Sequence, residues 1–239
     1  MEISTKTGAL RRLTDDPADD WDPAFTPDGM HIVWGSNRTG NLEVWLADAD
    51  GSNARQVSRD GVDAENPVAT RDGWIVYWTG NPAKQGIWKI RQDGTEATRL
   101  VAGYVDYPQV SPDGQFVAYN TVVEGVSGKR VVRMADGAAV PFEIRNAFRT
   151  QWTPDGRSIA FLAVDEKGIR GVFAQDFVPG QDTSKSRRML CGSDPDMQTE
   201  TFGISPDGSR MTIAFQEQTY SLMIAERVPG VLPPTRRVK

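Results

Sequence analysis

Cysteine and histidine each occur once in this chain of 239 residues, as Cys191 and His31. A single cysteine excludes an intramolecular disulfide and leaves the redox compartment open. Together the two counts exclude zinc centres built on His/Cys sets. His31 lies between Met30 and Ile32 with no evident nucleophile or orienting partner, and reads as a strand residue rather than a general base. No Gly-x-Ser-x-Gly elbow is present. No apolar run approaches the ~20 residues that span a bilayer, and Met1–Thr5 lacks the charged and apolar regions of a signal peptide. Positive charge is not in excess: the net charge is −5. That argues against the broad basic surface a phosphate backbone requires, so nucleic acid is not an expected partner.

What the chain does have is a repeat. Thr26-Pro27-Asp28-Gly29 returns as Thr70-Arg71-Asp72-Gly73, Ser111-Pro112-Asp113-Gly114, Thr153-Pro154-Asp155-Gly156 and Ser205-Pro206-Asp207-Gly208. Proline presets φ, aspartate bonds backbone amides, and glycine takes positive φ, so each copy predicts a tight β-turn. Three residues after each glycine stands Ile32, Val76, Val117, Ile159 or Met211; five after it, Trp34, Trp78, Tyr119, Phe161 or Ile213. A spacing of two puts each pair on one face of a strand. Phe25, Ala69, Val110, Trp152 and Ile204 precede the turns and mark the strand before them.

A third run follows at Val44-Trp45, Ile87-Trp88, Val131-Val132, Val172-Phe173 and Leu222-Met223. A fourth ends in Val57, Leu100, Ile144, Leu190 and Val238, and one more such ending stands at Arg11-Arg12-Leu13. From Leu13 onward these endings are 44, 43, 44, 46 and 48 residues apart. Four short strands at that period describe the blade of a β-propeller, in which each blade is buried on both faces by its neighbours. The expected fold is therefore all-β: one propeller domain of four-stranded antiparallel blades, five full and a partial sixth. The repeats run over about 15–58, 59–101, 102–144, 145–190 and 191–239, with 1–14 as the end of a further blade. Either the chain is an incomplete six-blade arrangement, the version adopted here, or residues 1–14 close a five-blade ring. An open ring exposes a blade face that a homodimer would cover.

The run Asp22-Pro23-Ala24-Phe25-Thr26-Pro27-Asp28-Gly29, with Ile32-Val33-Trp34, Ser36-Asn37-Arg38-Thr39-Gly40-Asn41, Val44-Trp45, Asp50-Gly51 and Arg55-Gln56-Val57-Ser58, resembles the repeat of the TolB-type propeller of bacteria. The resemblance covers almost the whole chain and is strongest in the first unit. It implies a six-bladed, non-catalytic, protein-binding module, extracytoplasmic or attached to sensor, kinase or regulator domains. Related repeats also form propellers of prolyl-oligopeptidase-type peptidases and of some lyases. No cofactor is implied.

Among chemical motifs, Gly125-Val126-Ser127-Gly128-Lys129 has the wrong spacing for a phosphate loop and is expected between strands. Asp48-Ala49-Asp50-Gly51-Ser52-Asn53 is expected to be a hairpin turn rather than a calcium loop, because Arg59 stands where the terminal Glu should be. Sorting charges by loop is more informative. The loops leading into the first strands share one face with those joining second to third strands, and both glycine turns share the other. The loops leading into the first strands alone hold twelve of the 32 acids. From them the candidate binding residues are Asp19, Asp20, Trp21, Asp22, Asp63, Glu65, Asp106, Tyr107, Phe148, Arg149 and Glu200, around the channel mouth. The expected partner is a protein or peptide, basic in character, met by a focused negative potential. Solvated polar loops are the plain alternative, and an enzyme with a metal held by carboxylates such as Asp22 and Asp106 is the other.

Overall fold

The computed structural model describes residues 1–4, 6–123, 125–192 and 198–216. They form four four-stranded antiparallel sheets, each with its strands in chain order. Blade 1 contains Asp20–Phe25, His31–Ser36, Glu43–Asp48 and Arg55–Gln56; blade 2 contains Ala64–Ala69, Trp74–Thr79, Gly86–Arg91 and Thr98–Ala102. Blade 3 contains Val105–Val110, Phe116–Val123, Val126–Arg133 and Ala139–Arg145; blade 4 contains Phe148–Trp152, Ser158–Val164, Arg170–Asp176 and Arg188–Gly192. Two-stranded sheets stand at either end, Glu2–Ile3 with Leu10–Arg11 and Gln198–Ile204 with Met211–Gln216. The runs at Leu222-Met223 and Arg237-Val238 lie outside the described residues. Gly125–Lys129 is not an interstrand loop as expected: all but its first residue lies in the third strand of blade 3, since blade 3's central hairpin extends both strands to eight residues.

The repeated turn closes as its residues dictate. In blade 1, Asp28 Oδ1 accepts the Thr26 hydroxyl at 2.6 Å and the Met30 amide at 2.9 Å, while the His31 amide donates to Thr26 Oγ1 at 3.0 Å. Blades 3 and 4 repeat this around Asp113 and Asp155. These hydrogen bonds hold Asp28 and Asp155 below the usual carboxylate range, and Asp207 is held down at about 2 by bonds from Ser205 and Ser209. The motif is spent on the scaffold.

Alternation then assigns each second strand two partners. Ile75 and Tyr77 pack toward blade 1 with Val33, Val44 and Leu46, whereas Val76 packs toward blade 3 with Val117 and Val132. Ala118, Val131 and Ile144 of blade 3 meet Ile159, Phe161 and Phe173 of blade 4, and Leu162 and Val172 meet Phe202 and Ile213 of the last sheet. No blade could hide these residues alone, so burial welds the ring.

Polar ties between blades follow a rule. Arg55 of blade 1 donates to the Gln92 carbonyl of blade 2 at 2.5 Å, and Lys89 of blade 2 to the Met134 and Ala135 carbonyls of blade 3 at 2.8 and 2.9 Å. Arg11 donates likewise to the Ala49 carbonyl of blade 1 at 3.3 Å. The N-terminal hairpin thus sits on blade 1 as each outer strand sits on the blade that follows it.

The channel mouth as candidate functional site

The first strand of each sheet lies beside the first strand of the next, so the five Asp20, Ala64, Val105, Phe148 and Gln198 strands surround the axis. Each is broken near its start by a β-bulge, between Trp21 and Ala24, Glu65 and Val68, Asp106 and Gln109, Phe148 and Thr150, and Thr199 and Thr201. In blades 1 to 3 the bulge holds a left-handed residue directly before a proline: Asp22 at φ 50°, Asn66 at 51° and Tyr107 at 47°. Proline cannot donate to the ladder, so pairing resumes only beyond it. A non-glycine residue held there costs of order 1–3 kcal/mol, and bulges re-aim side chains.

This device brings together residues far apart in sequence. Trp21, Glu65, Asp106, Phe148 and Thr199 are the last paired residues before the bulge on the five strands, and Asp22, Asn66, Tyr107, Arg149 and Glu200 follow them into it. The Glu200 side chain lies outside the described residues. Asn66 was not among the sequence candidates, although an Asn before proline at the Asp22 position was a usable signal. Its amide donates to Asp22 Oδ2 at 2.5 Å across the blade boundary, and its Oδ1 accepts the Trp78 indole at 2.8 Å.

The expected acids separate into two groups. Asp19 accepts the Asn37 side-chain amide at 3.2 Å, and Asp20 accepts the Trp34 indole at 3.0 Å and the Arg38 guanidinium at 3.2 Å. Arg38 also pairs with Asp16 at 3.0 Å and lies over the Trp34 and Trp45 rings. Burial pushes Asp20 up, but hydrogen bonds from Ser36, Thr14, Arg38 and Trp34 outweigh it and leave it below the ordinary value. These acids pin the loop before blade 1. Asp22, Asp63, Glu65 and Asp106 form the second group, from three blades. Burial pushes the Glu65 carboxyl up, and repulsion from Asp63, Asp22 and Asp106 adds to it.

Blades 3 and 4 are different. Asp106 pairs across the ladder with Asn120 and Asn120 with Lys129, so the three form a row on the face that Ala118 and Val131 turn to blade 4. Lys129 is 1% exposed, and burial lowers its pKa to about 8. Burial raises Asp106, with Asn120, Lys129 and Arg149 pulling it partly back. The Arg149 guanidinium lies 4.5 Å from the centroid of Tyr107. Beside them a cleft of about 450 Å³ opens between blades 3 and 4. Trp21, Tyr107 and Phe148 are 56%, 37% and 59% exposed. The mouth therefore carries Asp22, Asp63 and Glu65 on blades 1 and 2, and on blades 3 and 4 sets Asp106 beside the Lys129 and Arg149 cations and the Tyr107 and Phe148 rings.

Among the described residues no three His, Cys, Asp or Glu side chains converge as a metal site. His31 stands at the opposite end, its Nε2 3.7 Å from Asp48. In the Asp48–Asn53 turn, Asp48 accepts the Asn53 amide at 2.7 Å and Asp50 the Ser52 amide at 2.9 Å, a hairpin as expected. No helix among the described residues is long and apolar enough to cross a membrane.

Comparison with known proteins agrees with this architecture. A tricorn protease homolog of Streptomyces coelicolor is 31% identical over 108 residues, which is 43% of this chain and 10% of that protein. The chain spans between 10% and 59% of the curated relatives it matches. A solved structure assigned as TolB from Agrobacterium tumefaciens superposes with a TM-score of 0.71 at 15% identity, covering 90% of this chain and 76% of the other. A puromycin-hydrolyzing peptidase of Mycobacterium tuberculosis gives 0.59 at 16% identity, covering 85% and 38%. At such identities the structural likenesses establish the fold alone. The family model for the TolB beta propeller domain matches residues 1–147, more than half of the sequence, and the chain belongs to that family.

Proposed function

We propose that this propeller is a non-catalytic recognition module that captures a protein or peptide by its basic groups at the blade 1 and 2 side of the channel mouth. The observation that carries this reading is that Asp22, Asp63 and Asp106, contributed by three blades, all act repulsively on the partly buried Glu65 carboxyl. Carboxylates near enough to repel one another, with an exposed Trp21 on the first strand of blade 1, suit a cationic partner segment. A metal-dependent enzyme using Asp22 and Asp106 has no third ligand among the described residues. The ring itself is read as five blade positions preceded by the outer strands of a sixth, and a homodimer would cover the open side. Family likeness favours an extracytoplasmic setting.

The test is titration of a fluorescent lysine-rich peptide at low and high salt. Asp63→Asn with Glu65→Gln is expected to weaken binding about tenfold at low salt and to flatten the salt dependence. Equal affinity of the variant and the parent protein would remove the reading.

A further inference from the structure

We infer that the cleft between blades 3 and 4 binds an apolar residue through its α-carboxylate and the N–H on the same carbon, as presented by the C-terminal end of a peptide. This rests on reading the channel face as a recognition surface, but uses the half of it that the basic-partner reading leaves unexplained.

Three observations carry it. The first is charge: among the described residues Asp106 is the only acid lining the cleft, while Arg149 and Arg170 line it and Lys129 stands in the same cross-strand row as Asp106. Neither the Lys129 ammonium nor the Arg149 guanidinium makes a hydrogen bond among the described residues, and both act on Asp106 only through charge. One carboxylate facing two such cations leaves room for a second, and an arginine fork matches a carboxylate's two oxygens. The second is polar accounting. Asp106 Oδ1, Asn120 Oδ1 and Thr199 Oγ1 are buried without a hydrogen-bond partner. Two of these are pure acceptors and require a donor, which a bare carboxylic acid in its ionised form cannot give and an adjacent N–H can. The third is the wall. Val122, Leu162, Val164, Tyr104 and Phe148 line the same cleft, and all but Leu162 are exposed large apolar residues. They form an apolar rim of the kind that seats an anchor side chain. At about 450 Å³ the space suits one residue and part of the next.

A free amino acid offers the same chemistry with an ammonium in place of the amide, so the experiment separates the two sources. Isothermal titration compares an acetylated tripeptide ending in leucine, its C-terminal amide, and free leucine, against the parent protein and Arg149→Met. Arg149 is exposed and makes no hydrogen bond among the described residues, so its replacement is expected to retain the fold. Amidation is expected to weaken tripeptide binding about tenfold or more, and Arg149→Met to weaken the acid by a similar factor while leaving the amide unchanged. Stronger binding of the tripeptide than of leucine assigns the site to chain ends; the reverse assigns it to free amino acids and removes the peptide assignment. Equal binding of acid and amide, no binding of any probe, or an acid affinity untouched by Arg149→Met would overturn the inference. The lysine-rich peptide, titrated into the parent and the Asp63→Asn, Glu65→Gln protein, reports on the basic-partner reading separately, since neither of those acids lines the cleft.

Discussion

At the scale of the residue, Lys129 is the position where energetic cost and placement diverge most. An ammonium 1% exposed, close enough to one carboxylate to feel its charge, is more expensive to bury than an aliphatic side chain of the same length. Its folded pKa, about 8, lies below the ordinary 10.5. Below about 8 both folded and unfolded states carry the charge and the burial cost stands in full. Between the two values the folded protein loses the proton first, so the unfolded state binds more protons and stability from this group rises with pH. Urea unfolding across that range is expected to show the parent protein gaining on Lys129→Met by a few kcal/mol; parallel curves would show that the ammonium is better solvated than its burial implies. Nothing in the sequence marked Lys129. It was grouped with a glycine-rich stretch, and only strand register puts it in line with Asp106 and Asn120.

At the scale of the element, the same residue type does different work in the two glycine turns. Gly29 and Gly137 share a φ of 71°, so both are strained by any side chain. Around Gly29 there is open space, whereas a Cβ on Gly137 would run into the Leu100 carbonyl of the preceding blade. Gly29→Ala is therefore expected to cost the αL penalty alone, about 1–2 kcal/mol, and Gly137→Ala clearly more in equilibrium unfolding. Equal costs would mean that the blades give way at little expense. Gly51 meets Leu13 in the same manner, which ties the N-terminal segment to blade 1 as a preceding outer strand. The sequence made these elements legible because alternation, the Asp-Gly pairs and the 43 to 48 residue period all read locally. It exposed the bulges only as an unexplained proline after Asp22, Asn66 and Tyr107. A left-handed residue before proline is a consequence of ring packing rather than of local preference.

At the scale of the whole molecule, the ring sorts chemistry by end. The glycine turns consume their aspartates in hydrogen bonds, and the opposite end gathers, beside acids that pin loops, the Glu65, Asp106, Lys129 and Arg149 charges of several blades. Sequence reasoning located that end, because strand direction alone assigns loops to faces. It could not divide acids that pin loops, such as Asp19 and Asp20, from acids left facing the channel, because the division depends on Trp34, Asn37 and Arg38 arriving from a neighbouring hairpin. It named Tyr107 and Arg149, but it could not see that the guanidinium of one lies over the ring of the other.

The central claim is that partners are recognised at the channel mouth and not at the turn face. Hydrogen–deuterium exchange on the complex with the lysine-rich peptide tests it most directly. Protection is predicted in the loops and bulges around residues 20–23, 60–67 and 104–108, with the turns at 26–30, 70–74 and 111–115 unchanged. Protection at those turns with none at the bulges would contradict the account.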